Sequence, residues 1–133
     1  MVRPADTAVD VELIEAARDA IRRNYDVEGE RHTVGAAMRT SSGEVFVGVN
    51  VYSLHGSCAE FIALGSAITA GHREFEAIVS VRGAEGEEIV APCGNCRQML
   101  SDYAPGCEII VAGGDGPVAV EAADLLPYAY RVE

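Results

Sequence analysis

Three cysteines in two short motifs constrain this chain more than any other feature. One motif is Cys58-Ala59-Glu60, and the other is Pro92-Cys93-Gly94-Asn95-Cys96. If the three sulfurs serve one ion, the fold must bring together two segments that start 35 positions apart. Three protein ligands leave the fourth tetrahedral position of zinc to water, which is the pattern of a working site rather than a structural one. Glu60 need not be a ligand. Two residues beyond the first cysteine, it is placed to move that water's proton.

With 133 residues the chain suits a single domain, 1–133, large enough to bury a core without disulfides. The segment from Met1 to Asp10 lacks the apolar stretch of a secretory signal, and no apolar run approaches the ~20 residues of a membrane helix. The expectation is a cytoplasmic protein with no membrane partner, in which thiols stay reduced and the cysteines bind metal rather than one another. A net charge of −11 repels polyanions, so a small-molecule substrate is expected and nucleic acid is not.

Apolar residues at helical spacing predict a helix from Asp10 to Asn24, with Asp10 as its N-cap and Leu13 and Ile14 facing the core. Thr33 to Thr40 and Val45 to Asn50 read as a hairpin around Ser41-Ser42-Gly43-Glu44. Cys58 to Ala70 reads as a helix stopped by Gly71, and Ala77 to Val81 as a buried strand. Arg82 to Glu88 forms a polar turn, followed by a short extended piece, Ile89 to Ala91. Cys93 to Tyr103 is a helix, Glu108 to Ala112 and Val118 to Val120 are strands, and Ala122 to Leu126 is a short helix. Helices alternating with strands imply one sheet covered by helices.

Both cysteine motifs fall where extended chain gives way to helix. The unpaired N–H groups and partial positive charge there favour thiolates. Arg97, directly after Cys96, is the local candidate for balancing the charge of three thiolates. Zinc lowers the pKa of water to ~7. Displacing ammonia from an aromatic ring also requires protons at the ring nitrogen and at the departing amine, and one carboxylate can carry both. Two rival readings remain: a structural zinc site closed by Cys107, His55 or His72, and a redox pair at Cys93 and Cys96. Cys107 reads as a core residue, and His72 as a solvated helix end.

Five segments, Thr33–Met38, Gly48–Tyr52, Cys58–Glu60, Pro92–Leu100 and Leu125–Tyr130, together resemble the cytidine deaminase superfamily over nearly the whole chain. The resemblance implies a three-layer αβα fold with a five-stranded mixed sheet and helices on both faces. It implies a hydrolytic deaminase with one Zn²⁺ per subunit on Cys58, Cys93 and Cys96, Glu60 as proton shuttle, and a homotetramer with active sites near subunit interfaces. It also implies substrate contacts from Asn50, Tyr52, Ser57, the backbone at Ala59, His32 and Tyr130, with Arg97 behind the thiolates. The chain departs from the family in places. Tyr52 stands where cytidine deaminases carry a ribose-gripping glutamate, a form similar to a subgroup whose substrate has no ordinary ribose. Phe61 follows Glu60 where an arginine is common. His32 stands for an aromatic residue that stacks on the base, and Val132 for a bulky aromatic.

Overall fold

The computed structural model describes residues 2–132. Its elements run β1 (Val2–Pro4), α1 (Ala8–Arg22), β2 (Val34–Thr40), β3 (Val45–Val49), α2 (Ala59–Thr69), β4 (Phe75–Arg82), β5 (Glu88–Val90), α3 (Gly94–Tyr103), β6 (Glu108–Gly113) and β7 (Gly116–Glu121). A 3₁₀ turn, Ala122–Leu125, replaces the expected C-terminal α-helix. The sheet order is β1-β7-β6-β4-β2-β3, with β5 also paired to β4. All pairings are antiparallel except β4 with β6.

The sheet is mixed, with helices on both faces, as expected, but among the described residues it has seven strands rather than five. One addition is β1, three residues paired to β7 more than 110 positions later, Val2 opposite Val120. So short a segment has no readable periodicity. The other is β5, which continues the edge of β4 where β6 stops: β6 pairs with Ala77–Val79 and β5 with Ser80–Arg82.

Helix α1 covers one face, packing Leu13, Ile14, Ala17 and Ile21 on Ala37, Val79, Val81 and Ile110. Helices α2 and α3 cover the other, packing Ala63, Leu64, Ala67, Met99 and Leu100 on Ala36, Met38, Ile78 and Ile109. The inner strands β2 and β4 are therefore buried in near-continuous runs rather than in alternation, because both of their faces are covered.

The N-cap of α1 is Thr7, not Asp10. Asp10 sits three residues further on and completes a capping box: Asp10 N–H donates to Thr7 Oγ1, and Thr7 N–H donates to the Asp10 carboxylate. Asp10 is fully buried and also accepts two hydrogen bonds from Arg3 of β1, at 2.8 and 3.1 Å.

Two glycines set how closely the helices approach. A Cβ on Gly48 of β3 would lie 2.5 Å from Ala63 N and 2.7 Å from Ala59 O in α2. A Cβ on Gly35 of β2 would lie 2.5 Å from Ala17 O in α1. Gly48 thus lets the first turn of α2 rest directly on the sheet.

Candidate active site

Both ligand-bearing helices begin at a cysteine. Cys58 is the N-cap of α2 and Cys93 the N-cap of α3, each with extended backbone and no side-chain capping bond, so the thiols are free to point elsewhere. Cys96, one turn into α3, is fully buried. The three sulfurs lie within 4.8 Å of one another, and those of Cys58 and Cys93 are 3.6 Å apart. A tetrahedral ion bonded at ~2.3 Å holds two sulfurs roughly 3.8 Å apart, so the trio fits zinc. The spacing is far too long for a disulfide, and all four cysteines are free.

Among the described residues no histidine, carboxylate or fourth cysteine joins the three-sulfur group. Cys107, offered above as a possible fourth ligand, is buried in the core with Sγ against the Glu108 carbonyl, and burial pushes its thiol up to about 12. His72 Nε2 donates to Glu44 Oε2 at 2.8 Å, and the ring tilts against Phe46. His55 lines the cavity described below without joining the sulfurs.

The thiols have opposed environments. Burial, with the Glu60 carboxylate next, pushes Cys96 far above the usual thiol range. Burial likewise raises Cys58. Burial also works to raise Cys93, but the Cys96 N–H and the neighbouring thiols outweigh it and hold Cys93 below its ordinary value. A cluster in which burial opposes ionisation at every sulfur is one that a divalent cation would stabilise.

A cavity of about 420 Å³, within the range of small-molecule sites, opens over this cluster. Cys58, Ala59, Glu60, Cys93, Asn50 and Tyr52 line it, and Ser57 shares its wall. Glu60, on the first turn of α2, is only 5% exposed. Its carboxylate makes no hydrogen bond to a side chain or backbone group among the described residues.

The side chain of Asn50 is largely engaged. Its Oδ1 accepts from Thr33 N–H and Val34 N–H at 2.8 and 2.9 Å, and its Nδ2 donates to Arg31 O at 3.1 Å. One N–H remains for a ligand. His32 does not line the cavity; its Nδ1 donates to the Asn50 carbonyl at 2.8 Å and so steadies that residue. Tyr130 is 77% exposed and outside the cavity, its carbonyl accepting from Gln98 Nε2. Arg97 donates to the carbonyls of Pro92 and Leu125 at 2.9 and 3.3 Å, fastening the approach to Cys93 to the C-terminal 3₁₀ turn.

Sequence reasoning missed Asn95 and Arg82, which also line the cavity. Asn95 could have been found from its place between two ligand cysteines. Arg82 was assigned to a turn, but it ends β4.

A thiol trio with a buried carboxylate beside it, in a cavity of small-molecule size, defines a metal-dependent hydrolytic centre. The chain belongs to the family described as the cytidine and deoxycytidylate deaminase zinc-binding region, whose pattern matches residues 7–112. It is 38% identical to the blasticidin-S deaminase of Bacillus cereus over 130 residues, covering 91% of each chain. It is 35% identical to a cytidine deaminase of Halalkalibacterium halodurans, covering 91% of this chain and 93% of the relative. The crystal structure of cytidine deaminase from Burkholderia pseudomallei superposes with a TM-score of 0.74 at 39% identity, covering 90% of this chain and 98% of that one. The protein is thus a zinc-dependent hydrolytic deaminase of the kind that cleaves C–N bonds in cyclic amidines, acting on a small molecule.

Proposed function

We propose that this chain deaminates the cytosine ring of a nucleoside-like molecule, with blasticidin S as the best-supported substrate and Glu60 as the proton shuttle. The observation that carries the mechanism is Glu60: a carboxylate nine-tenths buried, without a protein hydrogen bond among the described residues, beside Cys58 and Cys93 in the cavity wall. Zinc on Cys58, Cys93 and Cys96 would supply the Lewis acidity that makes hydroxide available near neutral pH. Glu60 takes the proton of the water that adds to C4 and gives it to ring N3. It then carries the second proton to the amino nitrogen, which leaves as ammonia. Asn50 offers its remaining N–H to the sugar-like ring, and the backbone at Ala59 and Ser57 borders the base edge.

Tyr52 supports the blasticidin S subgroup, since a phenol in the cavity wall replaces the carboxylate that would grip a ribose. The identity to the Bacillus cereus relative points the same way. The second reading, deamination of cytidine or deoxycytidine, is favoured by the solved relatives' names and by Asn50. A panel of blasticidin S, cytidine, deoxycytidine and free aminated bases, scored by kcat/KM, separates the two. A clear preference for cytidine would overturn the first. In the same assay, Glu60→Gln with zinc retained is expected to lose roughly 10²- to 10⁴-fold in kcat. Undiminished turnover would remove the mechanism.

We further read the chain as one domain, cytoplasmic, and a homotetramer. Exposed Tyr52 and Leu54 beside the cavity and Tyr128, Tyr130 and Val132 on the tail offer apolar surface for a second copy. Sedimentation at micromolar concentration tests the assembly, and a monomer mass would refute it. The reduced thiols that the site requires support the location, which cell fractionation tests. A single cooperative melt is expected of one domain.

A further inference from the structure

Asn50, Val34 and Arg82 form a row across one end of the sheet. Asn50 follows β3, its N–H bonded to Val34 O on β2, and Val34 stands opposite Arg82 on β4. All three line the cavity. In β4, Ile78 packs against the core beneath α2 and α3, and Arg82, four residues on, shares its face. Arg82 therefore lies where the sheet emerges from beneath the two cysteine-bearing helices. Apart from the imidazole of His55, it is the cavity's one cationic side chain among the described residues.

The guanidinium is already oriented. Arg82 Nε donates to Glu88 Oε1 at 2.9 Å, and Nη2 donates to Glu88 Oε2 at 2.8 Å, across the β4–β5 pair. Three of its five N–H groups, both of those on Nη1 included, have no partner among the described residues. Glu88 thus holds the fork in place and leaves its outer edge open. A fixed fork is suited to a planar anion, which it binds through paired charge-assisted hydrogen bonds. In a chain of net charge −11, one oriented arginine in a cavity wall is a specific feature rather than part of a basic background.

We infer that Arg82, held by Glu88, is a specificity-determining residue that receives an anionic group, a carboxylate before a phosphate, on the part of the substrate remote from the ring amine. The inference rests on the cytosine-deaminase reading above and deepens it. The preference for a carboxylate follows from charge and shape: the Arg82–Glu88 pair has no net charge, so an anion is held by the free N–H groups against repulsion from Glu88, which a singly charged planar group feels less than a doubly charged one.

The test compares cytidine, cytidine 5′-carboxylate and cytidine 5′-phosphate on zinc-loaded protein, as wild type and as Arg82→Gln and Arg82→Lys. Wild type is expected to favour the carboxylate, chiefly through KM. In Arg82→Gln the carboxylate-to-cytidine ratio of kcat/KM falls roughly tenfold or more, as loss of a charge-assisted contact implies, and Arg82→Lys restores part of it. Binding of uridine 5′-carboxylate and uridine by calorimetry gives the same ratio without turnover. Glu88→Gln, which leaves Arg82 in place, should tighten the carboxylate severalfold, so the test survives if Arg82 variants fold poorly. A ratio that moves by less than threefold in Arg82→Gln, or a wild type that prefers the neutral nucleoside, overturns the inference. A preference for the phosphate corrects the identity of the anion and overturns the choice of carboxylate. If blasticidin S, cytidine and both analogues all fail to be deaminated, it is the underlying reading that fails; if blasticidin S alone is turned over, the calorimetric ratio decides the inference.

Discussion

Cys93 and Cys96 are one helical turn apart, yet one is exposed and the other fully buried. The difference follows from position: Cys93 caps α3 from outside, and Cys96 is the first residue of the helix to turn inward. In zinc-free protein, iodoacetamide should therefore modify Cys93 first, half-buried Cys58 next, and Cys96 and Cys107 last. Peptide mapping reads the order. Stoichiometric zinc should slow the first two and leave Cys107 unchanged, and equal rates at all four would contradict the site. Replacing Cys96 by Ser keeps a small polar side chain but loses the soft thiolate. Zinc content measured by atomic absorption should drop below half an equivalent, because two thiolates cannot hold the ion as three do.

At the scale of elements, the site depends on where α2 starts, and Gly48 sets that. An alanine there places its Cβ against the backbone of Ala63 and Ala59, which cannot swing away as a side-chain tip can. Gly48→Ala is expected to cost about 1–3 kcal/mol in urea unfolding and to lower zinc affinity, because Cys58 and Glu60 ride on the displaced turn. An unchanged midpoint with full zinc would show that the helix has room. The sequence made this part of the fold readable in outline. Cys58 was legible as a helix opener because a loop meets a segment rich in alanine, leucine and isoleucine there, and Cys93 because Pro92 precedes it and Pro105-Gly106 closes the segment that follows. The hairpin was legible from its turn residues, Ser41-Ser42-Gly43-Glu44. Thr7 was hidden because both it and Asp10 are good caps, and only the fold reveals that they work as a pair. The placement of β1 was hidden because its partner lies at the far end of the chain. Arg82 was hidden because a charged residue before a Gly-rich turn looks like solvent-facing loop unless β5 is known to pair beside it. Local pattern carried the chemistry, whereas long-range pairing decided which polar residues reach the cavity.

For the whole molecule, Arg3 ties the first strand to α1 and β6 through Asp10 and Glu108. The Arg3 hydrogen bonds hold the Asp10 carboxyl down at about 2, against the opposing pull of burial, from an ordinary value of 3.8. A carboxyl held low in the folded state contributes stability in full above the unfolded value, and loses it as pH falls from about 4 toward 2. Because Arg3 is half-exposed, the contribution is on the order of 1–2 kcal/mol. Asp10→Asn should show that deficit in urea unfolding at pH 7, with the gap to wild type closing below pH 3. A gap independent of pH would assign the effect to packing instead. Cys58 and Cys93 open two different helices, so the ion they share is also a clasp across the fold. Anything bound only by the native state raises its resistance to heat, by ~4 kcal/mol at a thousandfold excess over the dissociation constant. For a chain of this length that corresponds to a rise on the order of 10 °C in the melting temperature. A chelator would then do more than stop turnover: it would shorten the working life of the enzyme when warm, and cells short of zinc would lose the protein itself along with its activity.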